Sequence, residues 1–421
     1  MNYAEFMKVV DEKLSDMSEV EKTKWIHNIA RTIKEHKRTE FLNSLMEKQE
    51  DNSLVIAAAK KEIEDWCSKL EKQEIYIECS SYEVYGESYW DNDYSYNYFD
   101  NFEIGNGLIR AFQVSEDLLY QKEYEQASEL YDSLCSMQFP VLNNDMEEWS
   151  ELELEELVKE KLVSLDLKQI ALCMMYAKYH IAKGEERAAA LHRYLSWNMC
   201  NNIKVEEVFN VGPEEIKGID SFMEEWITFL KNTDGDMAGD LLSEAYIFQG
   251  GINRLCEEAK EASARHPVLY ERACEYLLNE KKESECEKLG LEAIRVLPEK
   301  LIIRGKIADL TVRAARHLKH NEIIKECYEA AFYAESTLNH FLRLFEIPNY
   351  QNIVDKAAKY VKTLPETEGF VWREYHKNKQ KLSNYLLKDH EKVIRFFNGE
   401  FDYIYKAVSY THLTLPTNRE V

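Results

Sequence analysis

Glycine and proline are scarce in this chain, 14 and 7 among 421 residues, and neither occurs before Gly86. Average usage is roughly 7% and 5%, so the shortage excludes collagen-like, low-complexity and turn-dense all-β organisation. No run reaches the roughly 20 uncharged apolar residues of a membrane-spanning helix. The opening MNYAEFMKVVDEKL also lacks the apolar stretch of a secretory signal. Paired cysteines are missing too: the nine at 67, 79, 135, 173, 200, 256, 274, 286 and 327 contain no CxC or CxxC spacing. They are expected as reduced core thiols of a cytoplasmic protein. Positive charge is in deficit, with 53 Lys and Arg against 77 Asp and Glu and a net charge of -24. A field of that sign repels phosphate backbones and anionic lipid heads, so neither nucleic acid nor membrane is an expected partner.

Catalytic signatures are absent as well. The chain contains no phosphate-cradling glycine loop, no HExxH and no GxSxG. No catalytic, cofactor-binding or metal-ligating residue is therefore assigned. His317 and His320, with Glu322 and Cys327 nearby, are read as helix-end residues beside a negative dipole terminus rather than as ligands. Asp91, Asp93, Ser95 and Asn97 echo a calcium loop, but Tyr96 stands at its glycine position and Phe102 at its bidentate glutamate position. Asp234, Asp236 and Asp240 are explained by a turn followed by an Asp helix cap. Trp25, Trp66, Trp149, Trp197, Trp226 and Trp372 fall in helical apolar stripes and are expected as core anchors.

What remains is helical pattern. Phe6, Val9, Val10 and Leu14 recur at helical spacing, and Ser18 with Glu21 forms a capping box before Trp25, Ile26, Ile29 and Ile33. Two further helices complete an N-terminal bundle over 1–74. It has no basic recognition face for DNA; Lys34, His36, Lys37 and Arg38 alternate with acids as a solvated helix end. Residues 75–107 form a Tyr/acid-rich loop without helical period. First helical-hairpin repeats span 108–231: Tyr124, Ala127, Tyr131 and Leu134 share one helix face, Pro140 closes the unit, Gly184 marks a later turn, and Gly212-Pro213-Glu214-Glu215 starts another helix. A loop follows at 232–240, then repeats over 241–365, and a truncated further repeat over 366–407.

The repetition is clearest between Ala245 and Pro298, where two helical pairs close on prolines 31 residues apart. Tyr246, Gly250-Gly251, Leu255, Ala259, Ala262 and Pro267 in the first copy, and Tyr270, Leu277, Cys286, Gly290, Ala293 and Pro298 in the second, resemble the tetratricopeptide pattern. A third pair repeats the Glu285-Cys286 to Ala293 spacing as Glu326-Cys327 to Ala334, and a fourth ends at Pro365. The resemblance implies an all-α fold, an α-solenoid of stacked antiparallel hairpins, with the Tyr-rich segment as its one non-helical insertion. The array is also similar to helical regions accompanying SWIM zinc-finger proteins, although the CxC…CxH ligands of that finger are not present. Val408–Thr417, VSYTHLTLPT, resembles translated sequencing-adaptor DNA, so 408–421 is expected to be an artefactual tail and the array to be cut at Ala407.

If the hairpins stack as tetratricopeptide repeats do, first helices line an inner groove carrying Asp240, Glu244, Glu271, Glu275 and Asn279. That groove is expected to be acidic and to take a protein or basic peptide. The expected function is a non-enzymatic interaction scaffold. The alternatives are a helical appendage to a zinc-finger or catalytic module encoded elsewhere, and a peptide-sensing regulator with an N-terminal DNA-binding bundle.

Overall fold

The computed structural model describes residues 13, 17, 22, 25–26, 52–84, 93–365 and 378–406. Most of the expected N-terminal bundle, Asp91, Trp372 and the expected tail at 408–421 lie outside these residues. The chain divides into two compact units: Met1–Leu118 with Leu134–Leu165, and Leu119–Ser133 with Asp166–Val421.

The first unit holds helix α1 (Asn52–Glu71), strands β1 (Ile77–Val84) and β2 (Asp93–Phe99), and most of helix α2 (Ile104–Tyr120). Strands β3 (Phe139–Asn143) and β4 (Glu148–Leu152) and helix α4 (Leu154–Lys159) follow. The Tyr-rich segment is thus a β-hairpin rather than a loop. Tyrosine at every second position, Tyr94, Tyr96 and Tyr98, suits the pleated geometry that aromatic side chains favour. Asp93, Ser95 and Asn97 lie in this extended strand, so their spacing builds no calcium loop.

The sheet order is β2-β1-β3-β4. The β1–β2 and β3–β4 pairs are antiparallel and the β1–β3 pair is parallel. Pro140 accordingly ends no helix; it sits in β3, one residue before the ladder that pairs Ile77 with Val141, so its missing N–H falls outside that ladder. Asn143 closes the turn to β4 through Oδ1, which accepts from the backbone N–H of Asp145 at 2.9 Å and of Met146 at 3.2 Å. Trp149, expected in a helix, stands exposed on β4 with its ring 5.2 Å from Tyr76.

The second unit is helical. It contains most of α3 (Tyr124–Cys135), then α5 (Leu167–Ile181), α6 (Gly184–Leu195), α7 (Ile219–Asn232) and α8 (Asp236–Glu261). Helices α9 (Val268–Asn279), α10 (Glu283–Val296), α11 (Ile303–Leu318), α12 (Asn321–Ala334), α13 (Leu338–Arg343), α14 (Gln351–Val361) and α15 (Lys388–Phe397) complete it. From α7 to α12 each helix packs on the next in the chain, and α9 also packs on α11, so first helix lies against first helix as in a stacked helical array. Asp166 begins α5 by accepting the Gln169 N–H at 3.0 Å.

Gly212-Pro213-Glu214-Glu215 does not begin a helix; α7 starts later, after Gly218. The Tyr176 hydroxyl donates to the Glu214 carbonyl at 2.8 Å and accepts the Glu214 N–H at 3.1 Å. It thereby satisfies both backbone groups that helical bonds would have used. The Glu214 carboxylate is held by Tyr124 and Lys122.

Two glycines shape the array. Gly251 breaks α8 with φ 67° and ψ -166°, a conformation open to glycine almost alone, and converts the long helix into two segments. Gly290 of α10 lies directly against Thr311 of α11, where an added Cβ would collide with the Thr311 hydroxyl. That hydroxyl is buried and bonds back to the Ile307 carbonyl at 2.7 Å, so it has no freedom to withdraw.

The turns after α9 and α11 do not use glycine. Lys281 (φ 59°) follows α9 and Lys319 (φ 62°) follows α11, both in the left-handed region. In each case the next residue donates back five positions, Lys282 N–H to the Leu277 carbonyl at 2.8 Å and His320 N–H to the Ala315 carbonyl at 2.9 Å. These are paired C-terminal caps of the Schellman type with lysine where glycine is usual. Replacing Lys319 by glycine removes the Cβ strain at a smaller entropy cost, so the Lys319→Gly variant is expected to gain about 0.5–1 kcal/mol. Gly290→Ala is expected to lose about 1–3 kcal/mol by overpacking. Urea titration followed by circular dichroism measures both, and a Gly290→Ala variant as stable as the parent would contradict the tight α10–α11 seam.

Candidate functional site

Helical spacing brings the five residues singled out above to neighbouring faces. Asp236, Asp240 and Glu244 recur every four residues in the first segment of α8, and Glu271, Glu275 and Asn279 do the same on α9. Between the two helices lies an open cavity of about 400 Å³ lined by Asp240, Ser243, Glu244, Arg272, Glu275, Tyr276 and Asn279. Four of the five residues line it directly. Glu271 does not: its side chain is fully buried beneath.

The charge of this groove differs from the expectation drawn from first-helix acids alone. Arg272 lies between two carboxylates, with Nε 2.6 Å from Asp240 Oδ1 and Nη1 2.7 Å from Glu275 Oε2. The hydrogen bond to Asp240 chiefly holds its guanidinium above the ordinary arginine range, against the effect of burial. Lys306 of α11 reaches Glu271 at 3.0 Å and Glu275 at 3.6 Å. Burial alone would lower the Lys306 ammonium, but the neighbouring Glu271 and Glu275 carboxylates raise it overall. A second lysine, Lys379, contacts Glu271 at 3.0 Å from the remote segment 378–386. Much of the acid on this face is therefore neutralised from within. Lys306 and Lys379 are the contributors that first-helix reasoning missed. Lys306 could have been found by extending the same helical register to α11, whereas nothing in the pattern of 378–386 predicts its position.

Glu244 is set apart. Burial pushes its carboxyl up to about 7, with the Glu206 carboxylate adding to the rise, Lys204 opposing it, Asp240 adding and Arg272 opposing. It is the acid of this cavity poised to change charge near neutral pH.

The expected loop at 232–240 ends at Gly235, because Asp236 and Asp240 already belong to α8, and the aspartates have separate duties. Asp234 pairs with Arg265 at 3.1 Å and Lys381 at 2.8 Å. Asp236 accepts the backbone N–H groups of Lys379 at 2.7 Å and Gln380 at 3.0 Å rather than capping its own helix. Burial raises the Asp236 carboxyl, and those two N–H donors work against the rise. The histidines are likewise divided: His317 Nδ1 lies 3.3 Å from Glu283 and His320 Nδ1 2.9 Å from Glu287, both on α10. Among the described residues no group of three or more His, Cys, Asp or Glu converges as a metal site would.

Of the tryptophans, Trp226 is fully buried, Trp66 and Trp197 are half-buried, and Trp25 and Trp149 are exposed. A smaller cleft, about 210 Å³, lies between α1 and α2 in the first unit, where Arg110 pairs with Glu62 at 3.1 Å across its mouth.

No protein-family model matches this chain, and no curated protein is similar to it. The likeness to arrays accompanying SWIM zinc fingers thus finds no support, and the packing of successive helices carries the fold assignment.

Protonation of Glu244 gives a stability signature. Its folded-state pKa of about 7 lies above the ordinary value of 4.5. The stabilising neutral form is therefore fully present below pH 4.5, and its contribution is lost as pH rises through 7. Glu244→Gln stays neutral throughout. The variant is expected to match the parent at pH 4 and to exceed its unfolding free energy above pH 7 by at most about 3 kcal/mol. Parallel denaturant titrations across pH 4–8 measure the difference, and a gap that does not change with pH would remove Glu244 from this role.

Proposed function

We propose that the helical unit is a non-enzymatic protein-interaction scaffold of tetratricopeptide-like type, and that the cavity between α8 and α9 is where a protein or basic peptide docks. The observation that carries this is the convergence of Glu244, Tyr276 and Asn279 on one open, polar cavity whose walls are first helices of adjacent hairpins. Arg272 is committed to Asp240 and Glu275 and stiffens the rim, so recognition falls to the groups around it. A lysine or arginine side chain entering the cavity meets the Glu244 carboxylate, whose ionisation the incoming cation itself favours. Tyr276 supplies a broad contact surface with a polar tip, and the Asn279 amide can both donate and accept.

Among the described residues no helix is long and apolar enough to cross a membrane.

A panel of labelled basic peptides titrated into the full chain tests the proposal. Glu244→Lys, alone and with Asn279→Arg, is expected to weaken capture at least tenfold without unfolding the chain, since both side chains face the open cavity. Raising salt from 50 to 500 mM is expected to weaken it as well. Binding that ignores both the substitutions and the salt would sink the proposal. Glu271 is not a suitable variant for this purpose, because removing it would take the carboxylate from the largely buried Lys379 ammonium.

A further inference from the structure

Residues 378–386 follow an unusual course. Lys379–Lys381 form one 3₁₀ turn, and Ser383 then makes an antiparallel bridge with Leu301, flanked by the Ile302 N–H to Leu382 carbonyl bond at 2.9 Å and the Asn384 N–H to Lys300 carbonyl bond at 2.6 Å. Asn384 continues the contact: its Nδ2 donates to the Tyr333 carbonyl at 2.9 Å and its Oδ1 accepts the Ser336 N–H at 3.1 Å. This short strap thus touches the start of α8, the face of α9, the start of α11 and the end of α12. Almost every contact it makes is of a kind that a separate peptide would make: main-chain bridge bonds, a capped first turn and side chains set into fixed partners.

Its basic end is read by three acids. The Asp236 carboxylate holds two successive backbone N–H groups, those of Lys379 and Gln380. Glu271, with no exposed surface of its own, takes the Lys379 ammonium, which is itself only 15% exposed. Asp234, out in solvent, takes Lys381. The result is a turn-specific site with a buried lysine socket, a central main-chain cap and an exposed second lysine position. Between the two lysines the fit is poor. Gln380 is fully buried, yet neither its amide nitrogen nor its amide oxygen has a protein partner, and the neighbouring His266 Nδ1 also lacks one. An uncompensated buried carboxamide weakens the strap's hold relative to an apolar residue of the same shape.

We infer that Asp234, Asp236 and Glu271 form a recognition site for a Lys-X-Lys turn of an extended peptide, and that residues 378–386 occupy it in cis as a displaceable stand-in. The inference rests on the scaffold reading above and names a second site for a basic partner, adjacent to the open cavity. The preferred competitor carries an apolar residue between the lysines. A tethered strap holds a millimolar local concentration against it, so the site discriminates against weak basic sequences and yields to well-matched ones.

The test uses a fluorescently labelled peptide with the sequence of residues 378–387, NKQKLSNYLL, and a second in which the residue matching Gln380 is methionine. Fluorescence anisotropy against the full chain is expected to show the methionine peptide binding roughly tenfold tighter, and a peptide with both lysines replaced by alanine not binding. Lys379→Ala combined with Lys381→Ala in the protein, which frees the site, is expected to raise affinity for both peptides by 10- to 100-fold. If that double variant fails to fold, hydrogen exchange on the parent chain decides. Amides of Lys379 and Gln380 are expected to exchange faster with excess methionine peptide present, and exchange unchanged by peptide would overturn the inference. Asp234→Lys is expected to weaken peptide binding while Glu244→Lys leaves it intact. The reverse pattern would place the peptide in the open cavity, overturning this inference and leaving the scaffold proposal standing.

Discussion

The candidate face of the helical unit is arranged around one buried carboxylate. Glu271 has no exposed surface, yet it lies within 3.0 Å of two ammonium groups, Lys306 from the next first helix and Lys379 from a segment more than a hundred residues away. Burial of an isolated charge is costly, so the carboxylate fixes both lysines in place as the condition of its own presence there. Such a triad adds little net stability over a well-packed apolar core, but removing the carboxylate strands the Lys379 ammonium. Its contribution is positional. It sets the register of α9 against α11 and fixes where the strap crosses the array.

The hairpin array was legible because its signal is short-range. Cys286, Gly290 and Ala293 mark a seam of small residues, and all three are buried where α10 meets its neighbours. The same logic located the break at Gly251. What escaped reading lies at longer range or breaks a local habit. The β1–β3 ladder joins segments some sixty residues apart, and neither strand shows clean apolar alternation, IECSSYEV being mostly polar. Pro140, a helix stop in local terms, is a strand residue because a register determined elsewhere leaves its missing N–H outside the parallel ladder. The scarcity of glycine also misled, since it concealed tight turns that lysine makes in a left-handed conformation after α9 and α11.

In the candidate groove, charge read from two helices alone omits the cations that the rest of the unit delivers. Helical spacing from Asp240 to Glu244 and from Glu271 to Asn279 places those residues on neighbouring faces, and all but the buried Glu271 line one cavity. Counting acids on two helices, however, ignores cations delivered from a third helix and from the strap. With Arg272, Lys306 and Lys379 included, the face becomes a lattice of alternating charge in which Glu244, pushed up to about 7, is the adjustable member. Attraction at long range is thereby reduced, and discrimination moves to contact distance, where geometry decides.

The segment Leu119–Ser133 belongs to the helical unit although the chain on both sides of it, up to Leu118 and from Leu134 to Leu165, belongs to the other. Order of synthesis gives this interleaving a consequence. Asp132 and Tyr124 emerge from a ribosome before their partners: the Tyr194 hydroxyl donates to Asp132 at 2.5 Å, and the Tyr124 hydroxyl donates to the Glu214 carboxylate at 2.8 Å. Helix α3 therefore lacks these two partners until some eighty further residues are made. The sheet has no such delay, because its last strand ends at Leu152. Vectorial folding thus completes the smaller unit first and leaves α3 as an early-made piece of a late-built structure.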